Sequence, residues 1–130
     1  MPVTRRLFML TTITLLIAQS AAEASERMKY EAVAFQAAQQ SGRSILVHVT
    51  APWCGECRLQ KPIVARLSEL PEYKNLLIVD VDFDSQKDAL RSLKVRKQST
   101  LITFKGAQET ARSVGVTNQE KISGLMKKAL

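Results

Sequence analysis

The chain has two cysteines, and they stand three positions apart in Cys54-Gly55-Glu56-Cys57. Three chemistries use such a pair. Structural zinc takes four ligands, and two cysteines with the single histidine of this chain do not supply them in a monomer. A c-type haem takes His directly after the second cysteine; Arg58 is there instead. A redox dithiol needs one exposed thiol of lowered pKa and a second within reach to resolve it. The flanking sequence suits that third chemistry. A strand that runs into Cys54 and a helix that starts there would put the sulfur against unpaired backbone N–H groups and the positive end of the helix dipole. Cys57, one turn on, shares the face and is expected to be less exposed. Cys54 then attacks a substrate disulfide and Cys57 releases the mixed disulfide. An inert structural disulfide is the plain alternative.

The elements around the pair follow from patterning. Tyr30 to Gln40 has helical spacing, with Val33, Ala37 and Gln40 on one side and Phe35 near it, and Ser41-Gly42 stops it. Ser44 to Thr50 is almost wholly apolar and β-branched, the composition of a buried central strand. Ala51-Pro52 breaks that strand, and a helix runs from the cysteines to about Leu70 with Pro62 inside it, where a kink is expected. Leu76 to Val81 reads as a second buried strand, followed by Asp82-Phe83-Asp84. Ser85 is placed to cap a short helix through Leu93. Thr100 to Lys105 and about Glu109 to Val114 form a hairpin across Gly106. Thr117-Asn118-Gln119-Glu120 reads as a capping box for a last helix. The expected architecture is α/β, a mixed sheet of about four strands flanked by helices.

Trp53-Cys54-Gly55-Glu56-Cys57 at a strand–helix junction resembles the active site of thioredoxins, WCGxC. Pro62 stands where thioredoxins kink the same helix, and Val95 to Gly106 is similar to their loop and strand before the final hairpin. The similarity covers about Tyr30 to Leu130. The resemblance implies the thioredoxin fold and thiol–disulfide oxidoreductase activity, with no organic cofactor and no metal. The family's extra N-terminal strand reads as short or absent.

Three departures from the family pattern alter the expected chemistry. The family's cis-proline facing the dithiol is Ser99 here, between Gln98 and Thr100. A cis bond before a non-proline residue costs about 3–4 kcal/mol, so a trans Gln98-Ser99 peptide is expected, or a strained cis one held by tertiary contacts. That loop pairs with substrate backbone in the family, so Gln98, Ser99 and Thr100 are substrate-binding candidates and the change implies a dedicated partner. Ser99 could also hydrogen-bond a cysteine sulfur, and loss of the proline makes adventitious metal at the dithiol easier. Second, the family's buried aspartate beneath the resolving cysteine corresponds to His48, and its lysine partner to Asp80. The pair is expected to persist with reversed polarity: His48 accepts a proton from Cys57, and Asp80 fixes the tautomer and favours the charged form. A core histidine with satisfied hydrogen bonds is the alternative. Third, Glu56 replaces the usual proline; its charge opposes a Cys54 thiolate and makes the couple more reducing. Arg58, Lys61, Arg96 and Lys97 would act the other way, and screening keeps each effect small. The balance leans towards a reductant. Trp53 would offer a flat apolar contact to a partner, with core packing as its alternative. Arg96 and Lys97 would receive an acidic partner or form a solvated loop.

At 130 residues the sequence makes one domain, with no internal repeat or low-complexity segment. Its formal net charge is +7, but the basic residues are scattered without interleaved aromatics, which argues against nucleic acid and fits an acidic protein partner or a nearby anionic membrane. Residues 1–24 read as an export signal: Arg5 and Arg6, the apolar run Leu7 to Ala18, then Ala22-Glu23-Ala24 as cleavage site. Thr4 to Met9 also resembles a twin-arginine signal, with Met9 where Leu is usual, and an uncleaved signal would leave a membrane anchor. The expectation is a monomeric periplasmic oxidoreductase of residues 25–130. Its substrate is a protein disulfide or dithiol, and a membrane-embedded thiol reductase is its electron donor if it works as a reductant. Two rivals use the same residues: a copper-site assembly factor holding metal through Cys54 and Cys57, and a redox-inert adaptor that only docks a partner.

Overall fold

The computed structural model describes residues 25–130; the export signal expected in residues 1–24 lies outside the described residues. In chain order the strands are β1 (Glu26–Lys29), β2 (Ser44–Thr50), β3 (Leu77–Asp82), β4 (Thr100–Lys105) and β5 (Gln108–Val114). The helices are α1 (Ala32–Gln40), α2 (Gly55–Ser68), α3 (Lys87–Leu93) and α4 (Gln119–Lys127), with a 3-10 turn at Pro71–Tyr73. The five strands form one sheet in the order β1-β3-β2-β4-β5. β3 pairs in parallel with both β1 and β2, while β4 runs antiparallel to β2 and to β5.

β2 occupies the middle and is covered on both faces, which is why its sequence is a continuous apolar run rather than an alternating one. Ile45, Val47 and Val49 point into one core with Phe35, Leu77, Val79, Leu90 and Phe104. Leu46 points the opposite way, into a second core with Val64, Leu67, Tyr73, Ile78, Leu101, Ile122 and Met126. The first core lies under α1 and α3, the second under α2 and α4. The direction of pairing brings five segment ends to one edge: the ends of β1, β2, β3 and β5 and the start of β4. The dithiol lies at that edge.

Several sequence expectations need correction. The sheet has five strands rather than about four, because Glu26–Lys29 pairs with β3 through a short, polar segment that carries almost no apolar signal. α1 buries Phe35 and Ala38, while Val33 is 73% exposed, so the expected face is rotated. Ser41-Gly42 does end that helix. Ser85 does not cap α3. The residue before the helix is Gln86, and Asp82 instead turns the chain by accepting the N–H groups of Asp84 and Ser85 at 2.9 and 2.8 Å. α4 is capped by Asn118, whose side chain accepts from the Lys121 N–H at 3.0 Å, one residue later than the expected box. α2 continues through Pro62, which has no N–H to give to the Arg58 carbonyl.

Candidate active site

β2 ends at Thr50, and a turn through Ala51-Pro52-Trp53 delivers Cys54 to the N-cap of α2. The Cys54 N–H bonds the Ala51 carbonyl at 3.1 Å, and its sulfur accepts the N–H of Cys57 at 3.1 Å. A sulfur thus fills the acceptor position that Ser or Asp usually occupies at a helix start. A thiolate here gains from that N–H and from the helix dipole. Cys54 and Cys57 form a disulfide with Cα atoms 5.3 Å apart. The order of exposure is as expected and its size is not: Cys54 is 2% exposed and Cys57 0%. In the disulfide both sulfurs sit against Ala51 with Phe83 alongside, so only a sliver of Cys54 reaches solvent, rather than an open thiol.

Trp53, next to Cys54, is 55% exposed and is not a core residue. Its indole N–H donates to the Asp84 carboxylate at 3.0 Å, and its ring meets Phe83 edge-on at 6.3 Å. The ring therefore stands as a fixed apolar wall at the rim of the disulfide. Arg58, Lys61, Arg96 and Lys97 are all exposed.

Ser99 follows a trans peptide, since no cis bond occurs among the described residues, and has φ +58. That left-handed conformation costs a serine on the order of 1 kcal/mol. It also turns the Ser99 N–H, a donor that proline would lack, onto the Val49 carbonyl at 2.8 Å. The expected bond from Ser99 to a cysteine sulfur is absent. Its hydroxyl lies 3.1 Å from Glu56 Oε2 and 2.6 Å from the Gln98 carbonyl, both acceptors, and shares one proton between them. Glu56 leans over Gly115, where an added Cβ would come within 3.5 Å of its carboxylate at a φ of +72. Ser99 and Thr100 are buried and Gln98 is half-buried, so of the three expected substrate-binding residues in this loop only Gln98 has side-chain surface to offer. Thr100 turns its hydroxyl to the Lys97 carbonyl at 2.6 Å and starts β4.

The expected His48–Asp80 pair does not form, although the two residues are register partners on β2 and β3. Asp80 takes a bidentate Arg27 at 2.5 and 2.8 Å. A partly exposed carboxylate gains more from a guanidinium fork than from an imidazole that must be charged in the core. His48 is fully buried, and burial pushes its pKa down to about 4. Its Nε2 lies 3.0 Å from Gln60 Oε1, and its Nδ1 has no partner. Sequence reasoning passed over Gln60, Asp84 and Arg27. For Gln60 a signal existed: Cys57, Gln60, Val64 and Leu67 recur at helical spacing on the buried face of α2, so a glutamine there had to find partners inside. Among the described residues no three His, Cys, Asp or Glu side chains gather to hold a metal, so a copper ion at the dithiol would draw no third ligand from such a cluster.

A disulfide of two cysteines three apart, capping a helix that leaves the central strand of a mixed sheet, defines a thiol–disulfide oxidoreductase. The comparisons agree. The family model described as Thioredoxin matches residues 26–128. An H-type thioredoxin of Fagopyrum esculentum is 35% identical over 86 residues, 66% of this chain and 72% of the relative. A thioredoxin of Coprinus comatus is 31% identical over 96 residues, 74% of this chain and 90% of the relative. Among solved structures, Trxlp from Edwardsiella tarda superposes with a TM-score of 0.76 at 38% identity, covering 78% of this chain and 98% of that one. Thioredoxin O2 from Arabidopsis thaliana in the oxidized state gives 0.69 at 29% identity, covering 83% and 96%. The chain belongs to the thioredoxin family, whose members act on protein disulfides.

Proposed function

We propose that this thioredoxin-family protein acts outside the cytoplasm as a monomeric reductant of one protein disulfide client or a few. A membrane-embedded thiol reductase restores its dithiol. Residues 1–24 support export. The Ser99 segment carries the narrowed substrate range: its N–H and carbonyl are both engaged within the protein, and its hydroxyl reaches Glu56. A client must accommodate this trans, left-handed segment beside the dithiol.

In the reduced protein the Cys54 thiolate attacks a client sulfur, forms a mixed disulfide and expels the first client thiolate. Cys57 then loses its proton and attacks the Cys54 sulfur. The second client thiolate leaves, and the client has gained two electrons while Cys54 and Cys57 have lost two. His48 is the proton acceptor in this reading. Burial favours its neutral form, which makes it a weaker base than an exposed imidazole, and its Nδ1 has no hydrogen-bond partner. If His48→Ala leaves the exchange rate and its pH profile unchanged, that role is gone.

Insulin reduction with dithiothreitol as electron source, run beside an ordinary thioredoxin, tests the narrowed range. The expected rate is well below the reference. A rate equal to it contradicts a dedicated client.

A further inference from the structure

Gln60 is wholly buried one turn beyond Cys57, and every hydrogen-bonding group of its side chain is engaged. The amide nitrogen lies 3.0 Å from the Ser99 carbonyl and 2.9 Å from the Val116 carbonyl. Carbonyl oxygens only accept, so the amide must present its NH₂ to them and its oxygen to His48. His48 Nε2 faces that oxygen at 3.0 Å and must carry the ring proton, which leaves Nδ1 as the bare, buried acceptor. One side chain thus ties the central strand to the loop of β4 and to the segment after β5.

We propose that Gln60 is a positioning residue for disulfide exchange. Its oxygen fixes His48 in the Nε2–H tautomer, and its two N–H groups hold the Ser99 and Val116 backbones where a client disulfide must dock. A proton arriving at Nδ1 leaves the Nε2–H bond in place, so His48 can charge without releasing the loop. The Ser99 carbonyl also accepts the Gly115 N–H at 3.0 Å, which completes a clamp around the left-handed residue.

Two variants separate the two tasks. Gln60→Glu keeps an acceptor for His48 and loses the donors to the loop; Gln60→Leu loses both. The ring tautomer is read from ¹⁵N shifts of His48 at neutral pH. Exchange kinetics are read with a peptide disulfide and dithiothreitol. In the wild type the expected signature is a protonated Nε2 and an unprotonated Nδ1. In Gln60→Glu the Nε2 proton is retained, while KM rises roughly tenfold, the scale of one or two lost hydrogen bonds, with kcat changed less. In Gln60→Leu the KM effect is joined by loss of the single tautomer. A wild type with the proton on Nδ1 overturns the proposal without any variant, even if Gln60→Leu does not fold. A folded variant with wild-type KM also overturns it, as does a folded Gln60→Leu with an unchanged tautomer. The proposal rests on Cys54–Cys57 exchange, and wild-type turnover of the same peptide is the control that distinguishes failure of that reaction from failure of the clamp.

Discussion

His48 occupies the middle of β2 with none of its surface exposed, and burial moves its pKa from 6.5 to about 4. Asp80 opposes that shift, while Arg27 and Lys61 add to it. Between those two values the unfolded chain binds a proton that the folded chain refuses, so stability rises with pH across that window. The contribution is full above pH 6.5 and falls away as pH drops to 4, a loss of about 3 kcal/mol. In urea melts at pH 7 and pH 4, the wild type is expected to lose that much more than His48→Leu. Parallel losses would show that the ring is not held neutral by burial. Glu56 gives a second prediction. Glu56→Gln keeps an acceptor for Ser99 and removes the charge that stands between the two cysteines in sequence, so the reduction potential should rise by about 10–20 mV in a thiol–disulfide equilibration. A fall would reverse the sign assigned to that carboxylate. The unusual residues themselves, His48, Glu56 and Ser99, were visible in the sequence as departures from a pattern. Their partners were not, because a strand register says which backbones are adjacent and not which side chain a carboxylate will choose. Arg27 took Asp80 from the neighbouring strand β1, and Gln60 took His48 from across the sheet–helix interface.

Among the elements, β2 and β4 match their expected bounds residue for residue, since β-branched runs bounded by Gly, Pro or a polar loop leave little freedom. β1 was illegible for the opposite reason. Of Glu26 to Lys29 only Met28 is partly buried, and the strand is secured at the edge by Arg27–Asp80 and Arg43–Glu26 ion pairs. The phase of α1 is set by Phe35 docking edge-on against Phe104 at 5.6 Å, and two and a half turns of weakly patterned sequence do not determine it. The start of α4 shows the limit of motif spacing. Thr117 and Asn118 are both good caps, and the chain uses the second. Asn118→Ala should therefore cost about 1 kcal/mol in chemical denaturation and Thr117→Ala only a few tenths. The reverse order of costs would place the cap at Thr117, where the sequence motif suggested.

At the scale of the molecule, the mixed topology gathers the ends of β2, β3 and β5 with the start of β4 on one edge. The dithiol, Trp53 with Asp84, and the Ser99 loop therefore meet although they are far apart in sequence. That convergence was legible through the family resemblance, while the near-complete enclosure of the sulfurs was not. With Cys54 only 2% exposed, the opening over the disulfide is small. The basic residues Arg58, Lys61, Arg96 and Lys97 are exposed and available to an acidic client surface. Everything turns on the proposed division of labour, in which Cys54 captures the client and Cys57 ejects it. The direct test is a mixed-disulfide trap: reduced Cys57→Ser and Cys54→Ser are each exposed to a peptide disulfide and weighed intact by mass spectrometry. The expected result is a stable peptide adduct on Cys54 in the first variant and little or none in the second. An adduct that forms equally fast on Cys57, or none on Cys54, would contradict it.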